Sequence, residues 1–208
     1  MNLTYLYVLM AANAMMSFKA FEDMAFFRKY EFHIGSIRAG QQYRLFSSAF
    51  LHVDFMHLGL NMLTLYLFAP IVFAYNGTFG FLLVYFVSLI CGSLLTVFFH
   101  KDDYSYRAVG ASGAVTGVMY SAILFEPMMR INFIPAYLFG LIYLLFSIYG
   151  MKAKKDNIGH TAHFGGAAGG FLITLAGNPL LFSERPLIIL YLAIPLVILF
   201  AMAKMGKI

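Results

Sequence analysis

Three short segments of the 208-residue chain carry side chains that could perform chemistry together. Ser112 lies in the run Gly-Ala-Ser-Gly, whose small neighbours leave room for another peptide backbone beside its hydroxyl group. His163 precedes a glycine-rich run, and histidine is the side chain most often used to accept a proton from such a hydroxyl. His57 and Asn61 are four residues apart, so on a helix they would share a face and could donate hydrogen bonds to an oxyanion. A nucleophile, a base and such donors are the groups that acyl transfer requires.

Each segment also has a structural interpretation. The small residues around Ser112, including the pair Gly113 and Gly117, are typical of helices that pack closely within a membrane. His57 and Asn61 could instead bond loop backbone near the membrane surface, since polar groups within an apolar span need partners. Taken one at a time, these segments leave both interpretations open.

The residues that follow His163 favour the catalytic interpretation. Gly166, Ala167 and Gly170 come after it at helical spacing and share its face. Helix axes usually lie about 8–10 Å apart, whereas a serine hydroxyl must come within about 3 Å of its base. Glycine faces on both helices would allow that approach, so we predict that Ser112 and His163 form a catalytic pair.

The composition predicts a membrane protein. Of all residues, 62% are hydrophobic and 11% are charged, whereas a soluble domain is nearer about 45–50% apolar and about 25% charged. The net charge is +5, but the basic residues lie in short loops between apolar runs, which favours lipid headgroups over nucleic acid as their partner. The single cysteine, Cys91, excludes an intramolecular disulfide and has no companion at metal-ligand spacing. We expect no cofactor and no metal.

Seven apolar stretches approach the length of membrane-spanning helices, although the first, fourth and sixth are short. The first lacks the basic start and the small-residue cleavage site of a signal peptide, so we expect it to be retained. We therefore predict an all-α polytopic fold, with residues 1–208 in one membrane-embedded domain. The predicted spans are Leu3–Phe18, His57–Tyr75, Thr78–Phe99, Ser112–Phe125, Asn132–Gly150, His163–Ala176 and Leu187–Ala203.

The order of the spans places the candidate residues on one side of the membrane. Spans two, four and six run in the same direction, and their N-terminal ends contain His57, Ser112 and His163. Helix N-termini carry partial positive charge, which favours an oxyanion and disfavours a protonated imidazole. The spans contain no Asp or Glu that could orient His163, so we expect a Ser–His dyad and not a triad.

At these positions the sequence resembles the rhomboid family of intramembrane serine proteases. The similarity runs from the first loop through the sixth span. It rests on Gly-Ala-Ser112-Gly, on Ala162-His163 with the following glycines, on His57 with Asn61, and on Tyr43-Arg44 followed by His52.

The resemblance implies a six-helix core over residues 1–177, with the seventh helix, over residues 187–203, as a C-terminal addition. It implies that the substrates are single-span membrane proteins, cut near small, helix-weakening residues in a site below the membrane surface that is open to water. It also implies Ser112 and His163 as the dyad and an oxyanion hole formed by His57, Asn61, Ser112 and Gly110, in which the backbone N–H of Ser112 is one donor.

Three positions depart from the family pattern. Tyr43 stands where the first loop usually has tryptophan, and Phe73 stands nearest to a glutamate that is common low on the second helix. Thr116 stands where a tyrosine often stacks on the base, which leaves open what orients His163. A catalytically inactive relative that binds membrane clients is therefore the alternative function. A transporter is disfavoured, because the spans lack carboxylates and show no inverted repeat.

The loop charges conflict with the orientation that the resemblance implies. Lys and Arg are enriched in cytoplasmic loops, and here they favour the Ser112 face, whereas bacterial relatives in the inner membrane have this face outward. We expect the outward orientation, because part of the bias lies in the connection from Lys19 to Met56, whose charges and aromatic residues predict a loop folded at the interface. The basic residues of the Ser112 face are Lys19, Arg28, Lys29, Arg38, Arg44, Lys101, Arg107, Lys152, Lys154 and Lys155, against Arg130 and Arg185 opposite.

Overall fold

A computed structural model of the protein describes residues 3–131, 133–153 and 159–205. Helices dominate this part of the chain, which confirms the predicted all-α fold class. They are α1 (Thr4–Glu22), α2 (Met24–Tyr30), α3 (Ile34–Arg38), α4 (Arg44–Ser47), α5 (Phe55–His100), α6 (Ser112–Phe125), α7 (Ala136–Ala153), α8 (His160–Gly177), α9 (Leu181–Glu184) and α10 (Pro186–Lys204), with a 3₁₀ turn over Ser48–Phe50. Two short antiparallel pairs accompany them: β1 (Phe32–His33) with β2 (Arg107–Ala108), and β3 (Arg130–Ile131) with β4 (Ile134–Pro135).

The long helix α5 contains the second and third predicted spans. Gly77 interrupts it with a φ of 64°, which divides it into α5a (residues 55–76) and α5b (residues 78–100). Phe73 and Phe81 stack with ring centroids 4.2 Å apart, whereas eight residues of a straight helix would separate them by about 12 Å. The chain therefore reverses direction at Gly77. Both α5 and α10 are long and apolar enough to cross a membrane.

The remaining predicted spans correspond to α1, α6, α7, α8 and α10. Several boundaries differ by about a turn, since α1 ends at Glu22 and not at Phe18, α7 begins at Ala136 and not at Asn132, and α8 begins at His160 and not at His163. At the start of α5a, the carboxylate of Asp54 accepts a hydrogen bond from the N–H of His57 at 2.7 Å and so caps the helix. Outside the described residues lie Asn132, where the fifth span is predicted to begin, and the loop lysines Lys154 and Lys155.

The central contact of the bundle joins the glycine faces of α6 and α8. A Cβ at Gly166 would overlap the carbonyl group of Gly113, and a Cβ at Gly170 would overlap the carbonyl group of Gly117. The two backbones therefore touch at two positions about one turn apart. This is the face of α8 whose small residues the sequence singles out.

A second glycine face joins α8 to α5b. A Cβ at Gly165 would overlap the carbonyl oxygen of Cys91, and a Cβ at Gly92 would lie 2.8 Å from the carbonyl oxygen of Ala162. Helix α8 is thus held between α5b and α6. Helix α6 is enclosed by protein, because all of its residues after Ser112 are buried.

The connection between α1 and α5 is folded, and the buried side chain of Arg44 organises it. The guanidinium of Arg44 donates to the carbonyl oxygens of Arg28 and Glu31, each at 2.8 Å. The carboxylate of Glu31, itself buried, pairs with Arg28 and with Arg107. Because β1 also pairs with β2, the first loop is fixed to the segment that leads to Ser112.

Helix α7 lies at the edge of the core and packs more extensively on α10 than on α6 or α8. Leu192 of α10 is fully buried, and a Cβ at Gly140 of α7 would lie 3.2 Å from its side chain. Tyr191 stacks on Tyr137 with centroids 5.9 Å apart. On the core side, the hydroxyl of Tyr120 in α6 donates to the carbonyl oxygen of Gly140 at 2.7 Å.

Gly166→Ala should destabilise the bundle, because the new methyl group would overlap the carbonyl group of Gly113 and push α6 and α8 apart. Overpacking of this kind typically costs about 1–3 kcal/mol. Thermal unfolding in detergent micelles, followed by circular dichroism, should show a lower midpoint for this variant. Gly59→Ala is the control, because a Cβ at Gly59 would meet nothing within 4 Å and alanine is the better helix former. Equal midpoints for the two variants would contradict the close contact of α6 with α8.

Candidate active site

Ser112 is the first residue of α6, and the chain reaches it through a turn that favours glycine. Gly110 has a φ of 129°, in the left-handed region that disfavours side chains. A Cβ at this position would lie 2.8 Å from Nε2 of His57 and 3.8 Å from Oγ of Ser112. The imidazole of His57 and the hydroxyl of Ser112 therefore border the same small space, which Gly110 leaves open.

His163 lies in the first turn of α8, beside the start of α6, and is 7% exposed. A Cβ at Gly113 would lie 3.0 Å from the carbonyl oxygen of Ala162. The residue after Ser112 therefore contacts the residue before His163. The structure brings Ser112, His163 and His57 to one end of the bundle, as the direction of the spans predicts.

Tyr143 of α7 contacts His163, and sequence reasoning missed it. Its hydroxyl lies 3.0 Å from Nδ1 of His163, and the two rings stack with centroids 5.6 Å apart. The same hydroxyl lies 3.4 Å from Oγ1 of Thr116, which donates to the carbonyl oxygen of Ser112 at 2.7 Å. The side chain of Thr116 is too short to contact His163, and a tyrosine from α7 lies beside the histidine instead. No spacing rule connects Tyr143 with His163, and α7 contains two other tyrosines, so the sequence offered no signal.

The other predicted oxyanion-hole residues, His57 and Asn61, lie in the first two turns of α5a. Nδ2 of Asn61 donates to the carbonyl oxygen of His57 at 2.9 Å, which leaves its second amide hydrogen available. Nδ1 of His57 is buried and has no hydrogen-bond partner among the described residues. The N–H of Gly110 donates to the carbonyl oxygen of Ser48 at 3.0 Å. In this structure Gly110 therefore contributes space beside Ser112 and not a hydrogen-bond donor.

His52 of the first loop holds the turn that precedes α6. It is fully buried, and its Nε2 accepts a hydrogen bond from the N–H of Ala111 at 3.3 Å. Nδ1 therefore carries the ring proton and donates to Oγ of Ser17 at 2.9 Å, and Ser17 donates in turn to the carbonyl oxygen of Phe50 at 3.1 Å. Burial, and after it the neighbouring His57, lowers the pKa of His52 to about 3. The ring is thus neutral at physiological pH.

A cavity of about 40 Å³ lies beside Ser112 on the side of α5b and the first loop. Its lining contains the side chains of Ser48, Ser93 and Thr96, whose hydroxyl groups can accept hydrogen bonds from water. A cavity of this size has room for water, since roughly 10–15 Å³ of such volume is enough for one molecule. Ser112 is therefore next to space that water can enter.

Fold and site together define a helical, polytopic membrane protein in which a serine and a histidine lie at the apposed N-terminal ends of two tightly packed helices. The family model of the Rhomboid domain matches residues 39–179, which is more than half of the chain. The chain belongs to the rhomboid family, and this membership makes it an integral membrane protein.

Relatives in bacteria and plants align with the same region. YdcA of Bacillus subtilis is 36% identical over 136 residues, which are 65% of this chain and 67% of YdcA. The mitochondrial RHOMBOID-like protein 12 of Arabidopsis thaliana is 25% identical over 181 residues, which are 77% of this chain and 54% of that protein. Rhomboid protease GluP of Bacillus subtilis is 29% identical over 140 residues, which are 67% of this chain and 27% of GluP. The chain thus spans from 27% to 67% of the length of these relatives.

His52→Gln should make the stability of the protein less dependent on pH. The pKa of His52 in the folded chain is about 3, below the value of about 6.5 that histidine has in an unfolded chain. As the pH falls from 6.5 toward 3, the unfolded chain takes up a proton that the folded chain does not, so the wild type loses stability in this window.

Glutamine does not titrate, so the variant should lose less of its stability between pH 7 and pH 4.5, although it should start lower because the ring packing is lost. Thermal unfolding midpoints at a series of pH values test this. Parallel curves for wild type and variant would contradict a buried, neutral His52.

Proposed function

We propose that the protein is an intramembrane serine endopeptidase that cleaves the membrane-spanning segments of single-span proteins, with Ser112 and His163 as its catalytic dyad. One observation carries the proposal: the N-terminal ends of α5a, α6 and α8 converge, and each brings a side chain suited to acyl transfer. Membership of a family with named proteases supports the reaction class. The placement agrees with the requirement that nucleophile, base and oxyanion donors surround one reacting carbonyl.

In the proposed reaction, Nε2 of His163 takes the proton of Ser112 as Oγ attacks the carbonyl carbon of the scissile peptide. The carbonyl oxygen becomes an oxyanion in the space that Gly110 leaves open. The backbone N–H of Ser112 has no partner within the helix, because it belongs to the first turn, and donates to this oxyanion. His57 and the second amide hydrogen of Asn61 are the other donors, and the N-terminus of α6 adds its positive dipole end.

The second half of the reaction needs water. His163 gives its proton to the leaving amine, and the acyl group remains on Ser112 until water hydrolyses the ester. The cavity beside Ser112 is the place from which that water would attack, since it borders the serine and its lining includes Ser48, Ser93 and Thr96. No cofactor and no metal takes part in these steps.

The substrate must present an extended backbone to Ser112, because the carbonyl groups of an intact helix are bonded within the helix. Small, helix-weakening residues in a membrane segment lower the cost of that unwinding. We propose single-span proteins with such residues as the substrates. We further propose that residues 1–177 form the catalytic core, that residues 187–203 form an added helix, and that the protein lies in a bacterial inner membrane with the Ser112 face outward.

Ser112→Ala should abolish cleavage of a one-span model substrate in proteoliposomes, with a loss of at least roughly 10³-fold, because the nucleophile is removed. A fluorophosphonate probe should label the wild type and not this variant. Ser183→Ala is the matched control, since Ser183 is exposed in the short helix α9, away from the converging helix N-termini. Equal labelling of Ser112→Ala and wild type would remove Ser112 from the mechanism. Binding of the substrate without cleavage by the wild type would favour the inactive, client-binding alternative.

The rate of cleavage should fall as the pH drops from about 8 to about 5, because protonated imidazole cannot act as a base. The measurement is the initial rate against pH, with circular dichroism at each pH to confirm that the protein remains folded. His163→Gln should lower the rate at pH 8 by about 10²–10⁴-fold and should remove this dependence on pH. A rate independent of pH while the protein stays folded would contradict the role of His163 as the base.

A further inference from the structure

We propose that Tyr143, on α7, is a positioning residue that holds His163 in the tautomer with its proton on Nδ1, so that Nε2 carries the lone pair that accepts the proton of Ser112. The inference rests on the proposed function of this Ser–His pair. It assigns to a tyrosine of α7 the orienting role that a buried carboxylate performs in a catalytic triad.

We assign the direction of each hydrogen bond from a series of contacts that starts at a carbonyl oxygen, which can only accept. The carbonyl oxygen of Ser112 can only accept, so the hydroxyl proton of Thr116 is used in their 2.7 Å contact. Either hydroxyl could donate in the 3.4 Å contact between Thr116 and Tyr143; because the proton of Thr116 is already used, we assign Tyr143 as the donor there. With that assignment, the hydroxyl oxygen of Tyr143 is the acceptor in the 3.0 Å contact with His163, and Nδ1–H of His163 is the donor.

This direction matters because neutral imidazole carries one proton on its two nitrogens. With that proton on Nδ1, Nε2 keeps its lone pair and is the nitrogen that can act as general base. The stacked ring of Tyr143 also fixes the plane of the imidazole, since the two rings are inclined by only 29°. Helices α6, α7 and α8 contain no Asp or Glu that could orient the imidazole instead.

Tyr143 belongs to a different helix from either residue of the dyad, so its contact with His163 depends on the position of that helix. Ser112 and His163 belong to helices whose backbones touch, whereas Tyr143 belongs to α7, which packs on α10 as well as on α6 and α8. Separation of α7 from α8 would therefore remove the partner of Nδ1 without moving the two reacting residues apart. The tautomer of His163, and with it the activity, depends on the docking of α7.

Tyr143→Phe tests the hydroxyl while it keeps the ring. We expect kcat to fall by roughly 10- to 100-fold, the effect of one hydrogen bond to a group that becomes charged, with little change in KM. The acid limb of the pH–rate profile should move to lower pH, because the protonated imidazole loses an acceptor. The ring of His160 also faces His163, with centroids 5.9 Å apart, but it is present in both proteins and does not affect the comparison.

Tyr149→Phe is the matched control, since Tyr149 lies on the same helix with 64% of its surface exposed. It should leave kcat and the pH profile unchanged. A Tyr143→Phe protein with the kcat and the acid limb of the wild type would overturn the proposal, as would a fall in kcat without any shift of the acid limb.

A second measurement does not depend on activity. In a Ser112→Ala background, nitrogen-15 spectra of histidine-labelled protein report which ring nitrogen of His163 is protonated, with His163→Gln to assign the signal. We expect Nδ1–H with Tyr143 present and a shift toward Nε2–H in Tyr143→Phe. An unchanged tautomer would overturn the role of Tyr143 even if the wild type cleaves substrate, and a wild type that does not cleave would instead refute the proposed function.

A substitution at Thr116 tests whether a hydroxyl group from α6 can replace that of Tyr143. Tyr143→Ala should lose more activity than Tyr143→Phe, because ring and hydroxyl are both removed. Adding Thr116→Tyr to Tyr143→Ala supplies a phenol from α6 into the vacated space and should restore part of kcat, whereas adding Thr116→Ala should not. A folded Thr116→Tyr/Tyr143→Ala protein without any recovery would count against the hydroxyl as the orienting group.

Discussion

The close approach of α6 and α8 is the constraint on which the rest of the structure depends. Within a lipid bilayer there is little hydrophobic drive to bring helices together, so association relies on close packing. Gly113 and Gly117 face Gly166 and Gly170, and any side chain at Gly166 or Gly170 would enter the opposite backbone. Ser112 and His163 stand at the ends of these glycine faces, so the contact that holds the bundle also sets the distance between the proposed nucleophile and base.

A second set of interactions fixes the turn that leads into α6. Gly110 adopts a left-handed backbone conformation, and two hydrogen bonds hold the turn in place. The N–H of Gly110 donates to the carbonyl oxygen of Ser48, and the N–H of Ala111 donates to Nε2 of His52. Both partners belong to the first loop, which is itself tied to carbonyl groups by the buried guanidinium of Arg44. The long first connection thus supports the turn that leads to Ser112, and its buried polar groups are costly unless all are bonded.

Much of the fold and part of the site could be predicted from the sequence, because both depend on patterns along single helices. The apolar runs correspond to the helices, the direction of the spans placed His57, Ser112 and His163 at one end, and the glycine spacing identified the contact face of α8. The roles of Tyr143 and His52 could not be predicted in this way. Each contributes through a contact between elements far apart in sequence, and a tyrosine in an apolar helix or a histidine in a loop has no local signature.

Thr116 stands where the family pattern often has a tyrosine, and the position of Tyr143 changes how this difference is interpreted. From the sequence alone, the absence of an aromatic residue one turn after Ser112 weakens the case for catalysis, since the base would lack a partner. In the structure the hydroxyl of Tyr143 lies 3.4 Å from Oγ1 of Thr116 and 3.0 Å from Nδ1 of His163, so a tyrosine from α7 occupies the place beside the histidine. The small residue on α6 and the tyrosine on α7 are therefore two halves of one arrangement. A protein that keeps such an arrangement around Nδ1 of a buried histidine retains what a proton acceptor needs, which argues for the protease over the inactive, client-binding alternative.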